Sequence, residues 1–512
     1  MPGGEVLTLV DALERAGIAF VLCRHETAGG FMAEGVHHMD GAPAILVATV
    51  GPGAMNAVNV VANAHQDRVP MIVLTGCIDA DEAEMYTHQV LDHRAVYAPV
   101  TKATFTLDAK AAAVQADKAV RIATGGAGGR AGPVLIDVPI SVADALVPDT
   151  PVHRPDASPA AIEPAALAAA REMVARARRP IVLAGLDVVR DGAGEALRTF
   201  CEARGAPLVT TYKAKGLVDE AHPLVLGGAG LSPLADRHLL PLFAQADLIV
   251  LAGYDPIEMR TGWRGAWDPA AQDVIDIAHE ANLHGMHGAT LEVIGPVDTA
   301  LDAIRGDGPD AAVVWDVSAT RAALRDAFAA EEWGPAAIVE TCRAACPPGT
   351  IATVDAGAHR ILLSQAWTCE APRTLLQSSG LCTMGCALPL ALGAKRAAPD
   401  RPVVAFMGDA GFLMVAGELA SAAELGLPVA IVVFVDRSLA LIEMKQRQRQ
   451  LPNVGVDFGA TDLAAVARGF GGHGVDVRDR SGLRIAMEAA LTADRFTLIA
   501  AHIERGAYDG RI

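Results

Sequence analysis

Three doubly wound, parallel-sheet α/β domains are the fold class this sequence predicts, and three observations predict it. The chain has 512 residues, more than a single hydrophobic core organises, so about three units of roughly 150–180 residues are expected. Short, continuously apolar runs rich in Val, Ile and Leu alternate with longer Ala/Leu-rich amphipathic runs. That pattern belongs to strands buried on both faces and covered by helices. Two polar, Pro-rich stretches, residues 147–164 and 305–316, interrupt the alternation and read as linkers. The expected units are residues 1–148, 160–306 and 317–512.

The strands justify each unit in turn. Residues 44–50, 71–76 and 133–138 supply apolar runs in the first; residues 180–185, 207–212 and 247–253 do so in the second; residues 403–409 and 428–436 do so in the third. In such sheets ligands bind beyond the carboxyl ends of the strands, so the residues just after these runs carry the functional weight.

Composition narrows the function. Apolar residues make up 52% of the chain and charged residues only 20%, enough for packed cores and too little charge for disorder. A net charge of −18 argues against nucleic acid or an anionic membrane as partner. The eight cysteines are scattered without His or Cys at metal-ligand spacing, which reads as buried reduced thiols. No leader pattern and no apolar run of membrane-spanning length is present, so a cytoplasmic location is expected.

In the third unit an apolar strand turns at Gly408-Asp409-Ala410-Gly411 into a helix. Small residues let backbone amides approach a ligand, and a helix N-terminus favours anions. An acid there fits poorly against bare phosphate but well against a divalent cation lying between the two. The next strand ends in a second acid, Asp436, 27 positions later. The other reading makes Asp409 a turn residue and Asp436 a helix cap.

The segments RHETAGGFMAEG, VGPGAMNAV, GRAGPVLIDVP, KAKGLVDEAHPLVLGG and SSGLCTMGCALPLALGAKRAAPDRPVVAFMGDAGF occur in this order along nearly the whole chain. Together with GDA and its second acid they resemble the thiamine-diphosphate-dependent enzymes, in the acetolactate synthase and 2-oxoacid decarboxylase branch. The resemblance implies thiamine diphosphate with magnesium. Asp409 and Asp436 would hold the metal by side chains and Ser438 by its carbonyl; Gly408, Ala410, Gly411 and Phe412 would line the diphosphate. Relatives usually carry Asn where this chain has Asp436, and the extra charge should strengthen the metal contact while repelling diphosphate somewhat. Met384 falls where an apolar side chain props the cofactor into its bent shape.

By the same resemblance Glu26 is the activating acid, hydrogen-bonded to the pyrimidine ring nitrogen so that the thiazolium carbon loses its proton. Apolar surroundings favour the protonated carboxyl such a bond needs, and the small residues after Glu26 would pack under the cofactor ring. Alone, Glu26 reads rather as a first-turn helix acid complementing the helix dipole, and the third-unit match reverses that reading. Gly51, Pro52 and Gly53 would line the same cavity. His88 and Gln89 occupy the place of the first domain's active-site side chains, and here the chain is a hybrid. His88 matches decarboxylases, where it would shuttle protons, and as a lone histidine it reads equally as a structural residue; Gln89 matches acetolactate synthases. Near Lys445 acetolactate synthases carry a Trp, so a lysine there departs from their pattern.

Two further departures concern the ends of the comparison. Relatives have a βα unit before a Pro-Gly-Gly turn, and this chain opens on that turn, so a first sheet lacking an edge strand is expected. Acetolactate synthases hold FAD in the middle domain; residues 253–263 fit their flavin run poorly, so FAD is allowed but not favoured. The implied activity is decarboxylation of a 2-oxoacid followed by joining of the product to an acceptor carbonyl. A simple decarboxylase releasing an aldehyde is the alternative, and an inactive cofactor-binding homologue a third. Because Glu26 and the diphosphate residues lie in different domains, the resemblance implies a homodimer or tetramer with active sites at the dimer interface.

Overall fold

The computed structural model describes residues 1–126, 129–147, 151–153, 161–306 and 315–512. Three sheets are present, each entirely parallel with helices on both faces. Most of the two Pro-rich stretches lies outside the described residues, and their described parts at 151–153 and 161–163 carry neither helix nor strand.

The first sheet holds β1 (Ala44–Ala48), β2 (Met71–Cys77), β3 (Ala103–Thr106) and β4 (Pro133–Pro139) in the order β1-β2-β4-β3. The second holds β5 (Pro180–Ala184), β6 (Leu208–Thr211), β7 (Val225–Ala229), β8 (Leu248–Ala252), β9 (Asp273–Ala278) and β10 (Leu291–Ile294), ordered β10-β9-β8-β5-β6-β7. The third holds β11 (Ile351–Val354), β12 (Leu375–Gln377), β13 (Val403–Gly408), β14 (Ala430–Val435), β15 (His473–Val477) and β16 (Thr497–His502), ordered β12-β11-β13-β14-β16-β15.

All eight apolar runs expected as strands are strands. The central ones, such as β4, β8 and β14, are buried along their whole length, as strands covered on both faces must be. β13 and β14 are neighbours with Gly408 opposite Phe434, so the turns that follow them open side by side.

The first and third sheets are joined through two helices of the same chain. Helix Glu26–Asp40 crosses helix Ala387–Ala397 at a distance that only glycine permits: a Cβ on Gly35 would lie 2.3 Å from the Leu390 carbonyl oxygen, and one on Gly393 would lie 1.9 Å from that of Met32. Of the small residues after Glu26, Gly35 serves this helix–helix contact, and Gly30 packs against Val60. The carboxylate of Glu418 reinforces the joint by accepting the backbone N–H groups of Arg24 and His25, at 2.8 and 3.0 Å. All eight cysteines are free, and Cys382 is the exposed one.

Candidate active site

β13 delivers Asp409 to the first turn of helix Asp409–Val415. The Asp409 side chain is buried, its Oδ1 accepting the Ala410 N–H at 2.9 Å and its Oδ2 the Arg437 N–H at 2.8 Å. Asp436 follows β14, and its Oδ1 accepts the Ser438 N–H at 3.2 Å. Burial, and then the neighbouring Asp409 charge, push the Asp436 carboxyl up to about 7. A buried carboxyl beside a second carboxylate is held toward its protonated form in this way.

A cavity of about 380 Å³ opens over the pair, lined by Gly408, Asp409, Ala410, Gly411, Asp436 and Ser438 on its floor and by Met384 on its wall. No third His, Cys, Asp or Glu stands close enough to complete a metal cluster among the described residues. A cation held by this pair would take its remaining oxygens from backbone and ligand, as magnesium between carboxylate and diphosphate does. Two orphaned atoms mark the same floor: the buried Ser438 Oγ and His359 Nε2 lack hydrogen-bond partners among the described residues. The donor set and the bare glycine turn thus fit a metal diphosphate.

His359 and Asp355 escaped the sequence reading. His359 stacks on Phe434, ring centroids 5.4 Å apart, and lines the cavity. Burial and the adjacent Arg360 lower it to about 3, so the ring is neutral in the working pH range and can donate or accept at Nε2. Asp355 is fully buried, and burial raises it to about 6. Its Oδ1 accepts the Cys386 N–H at 2.9 Å and so anchors the loop carrying Met384. Phe412 is placed elsewhere: its side chain is buried in the core beneath the third sheet with Met407 and Leu419, not on the cavity wall.

The first-unit residues form a second cluster. Glu26 begins helix Glu26–Asp40 and is only 5% exposed. Its Oε2 accepts from the Asn56 side-chain amide at 3.0 Å, while a Cβ on Gly53 would lie 3.3 Å from its Oε1. Gly51, at φ +63°, packs against Gln89, itself in the left-handed region at φ +60°. His88 is exposed, edge-on to Tyr86.

Beneath this cluster runs a buried chain that the sequence reading also missed. The Gly51 N–H donates to His93 Nε2 at 3.3 Å, which leaves the ring hydrogen on Nδ1 to meet Asp137 Oδ1 at 3.0 Å. Thr75 donates to the same oxygen at 2.5 Å. The signal was present: Asp137 is an acid inside the fully buried strand β4, and a buried charge needs partners. None of Glu26, Gly51, Pro52, Gly53, His88 or Gln89 lines the cavity over Asp409. Within one chain the expected site is therefore in two parts.

Comparison with known proteins gives this arrangement a family. Residues 1–96 match the N-terminal TPP binding domain of thiamine pyrophosphate enzymes, residues 167–304 their central domain, and residues 355–501 their C-terminal TPP binding domain. The acetolactate synthase isozyme 1 large subunit of Escherichia coli is 30% identical, over 98% of this chain and 90% of its own length. The acetolactate synthase of Bacillus subtilis is 29% identical, over 96% and 88%. The acetolactate synthase large subunit of Corynebacterium glutamicum is 31% identical, over 87% and 73%. No described helix is long and apolar enough to cross a membrane.

Proposed function

The chain belongs to the thiamine pyrophosphate enzymes, and from that premise we propose that it decarboxylates a 2-oxoacid and joins the product to an acceptor carbonyl, with magnesium as second cofactor. The observation that carries the reading is the pair Asp409 and Asp436 at the ends of adjoining parallel strands, above a turn of small residues. Its relatives' name, acetolactate synthase, supports the carboligation. Flavin is not part of the proposal: within residues 253–263, Trp263 is buried in the core and Asp255 pairs with Arg68 at 3.1 Å. The domain limits proposed are 1–148, 160–306 and 317–512.

Thiamine diphosphate, when bound, supplies a nucleophilic carbon and takes up the electrons released as carbon dioxide leaves. The chain's own residues do the rest. Asp409, Asp436 and the Ser438 carbonyl would hold magnesium; Gly408, Ala410 and Gly411 would admit the diphosphate, with the neutral His359 ring beside it at Nε2. Met384, which lines the cavity, would support the cofactor ring, soft enough to fit an irregular gap. At Glu26 the Asn56 amide occupies Oε2, so Oε1, which lies 3.8 Å from the Met1 amino group, is the oxygen that would meet the pyrimidine ring. His88 and Gln89 would flank the substrate, His88 moving protons.

Glu26 is held by its own chain outside its own metal cavity, through the joint at Glu418. We therefore expect a homodimer, alone or within a tetramer, in which Glu26 of one chain serves the cavity of the other. A simple decarboxylase is the second reading, favoured by His88, which is exposed and free of hydrogen bonds among the described residues.

Reconstitution with thiamine diphosphate, magnesium and pyruvate tests both. A hydroxy-oxoacid product supports carboligation, and an aldehyde supports the second reading. Glu26→Gln should lower turnover by about 10²–10⁴-fold, the usual contribution of a positioned acid or base. Full activity of that variant would overturn the assignment of Glu26.

A further inference from the structure

The mouth of the metal cavity carries positive charge that no ion pair among the described residues neutralises. Helix Ala440–Gln448 lines it with Leu441, Ile442 and Lys445, one face of the helix. The next basic residue, Arg447, points away and is fully committed, to Glu443 and to Asp509, each at 2.7 Å. The Lys445 side chain has no hydrogen bond or ion pair among the described residues. Arg260 reaches the same cavity from the middle unit, half-buried, and its side chain likewise has no such partner there. The acid that feels its charge, Asp236, is engaged by the Trp263 indole N–H at 3.0 Å. Arg360, the third cation of the lining, is spent on the Ser378 carbonyl and Cys382.

The carboxylates of the cavity, Asp409 and Asp436, sit on the floor and face each other. They do not answer charge at the rim. A solvated lysine is commonplace, but this one shares the lining of one cavity with a half-buried arginine from the middle unit, and neither side chain has an ion-pair partner among the described residues. Unpaired cations converging on a cleft concentrate an anionic ligand there.

We infer that Lys445 and Arg260 form a recognition site for a second, distal carboxylate, so that the 2-oxoacid this enzyme prefers is a dicarboxylate. The inference rests on the reading of the site as a 2-oxoacid enzyme, and it sets the substrate class within that reading. Lys445 and Arg260 act here in binding and selection; the bond-breaking groups are those described above.

The test uses the full-length holoenzyme with thiamine diphosphate and magnesium, and two matched pairs of substrates. In each pair a distal carboxylate replaces a methyl group: 2-oxoglutarate against 2-oxopentanoate, and oxaloacetate against 2-oxobutanoate. At least one dicarboxylate should exceed its partner in kcat/KM by about tenfold or more, as expected of charge pairing in a cleft. Lys445→Met and Arg260→Met should each reduce that ratio several-fold, mainly through KM. Lys445→Arg should largely keep it, and rising salt should erode it. Turnover of 2-oxoacids with no preference for either dicarboxylate overturns the inference alone, as does a preference that survives both methionine variants. Absence of turnover with every 2-oxoacid overturns the underlying reading and the inference with it.

Discussion

Replacing Asp436 by asparagine should make the metal-free protein more stable and its magnesium binding weaker. The carboxyl ordinarily titrates at 3.8 and in the fold is raised to about 7, by burial and by Asp409. A folded-state value above the unfolded one means that the ionised form costs the fold free energy. That cost is complete above about pH 7 and fades as pH falls toward 4. The shift is about 3 units at about 1.4 kcal/mol each, so the carboxylate costs at most ~4 kcal/mol at pH 8. An amide keeps the Ser438 contact but is itself a polar group in a confined place, so a net gain of ~1–3 kcal/mol is expected. Urea unfolding of the apo-protein at pH 8, with and without chelator, reads it directly. Magnesium titration followed by thiamine-diphosphate-dependent turnover should show affinity falling by roughly tenfold, ~1.4 kcal/mol. An apo-variant no more stable than the parent, with unchanged magnesium dependence, would refute the facing of the two acids.

Mixing Glu26→Gln with Asp409→Asn protein after partial unfolding should raise turnover well above that of either variant, because a mixed dimer holds one intact site; no recovery would refute the shared site. Gly393→Ala places a Cβ where the Met32 carbonyl lies 1.9 Å away, so thermal unfolding should show a loss of ~1–3 kcal/mol or more. Asp137→Asn weakens the acceptor of the His93 Nδ1–H and Thr75 hydroxyl and should cost ~1–3 kcal/mol by denaturant titration, since a buried network is left partly unsatisfied.

How far the sequence was legible depended on burial. β4, β8 and β14 are buried at every position, so each is a continuous apolar run. β3 and β15 lie at sheet edges and are partly exposed, so their residues are mixed and gave no run to read. β11 is buried but only four residues long, and includes a threonine. With no run to mark that strand, Asp355 and His359 beyond its carboxyl end went unmarked as well. Asp409 and Asp436 were found because the strands before them were.

Local pattern by itself determined the three parallel sheets, the family motifs and the acids at the strand ends, because burial on both faces and turn geometry act over a few residues. Only the tertiary structure decided what Glu26 faces. Its helix is locked to helix Ala387–Ala397 by glycines and to Glu418 by backbone hydrogen bonds. Those contacts span more than 350 positions of sequence, and no local pattern encodes which way a helix so locked presents its first residue.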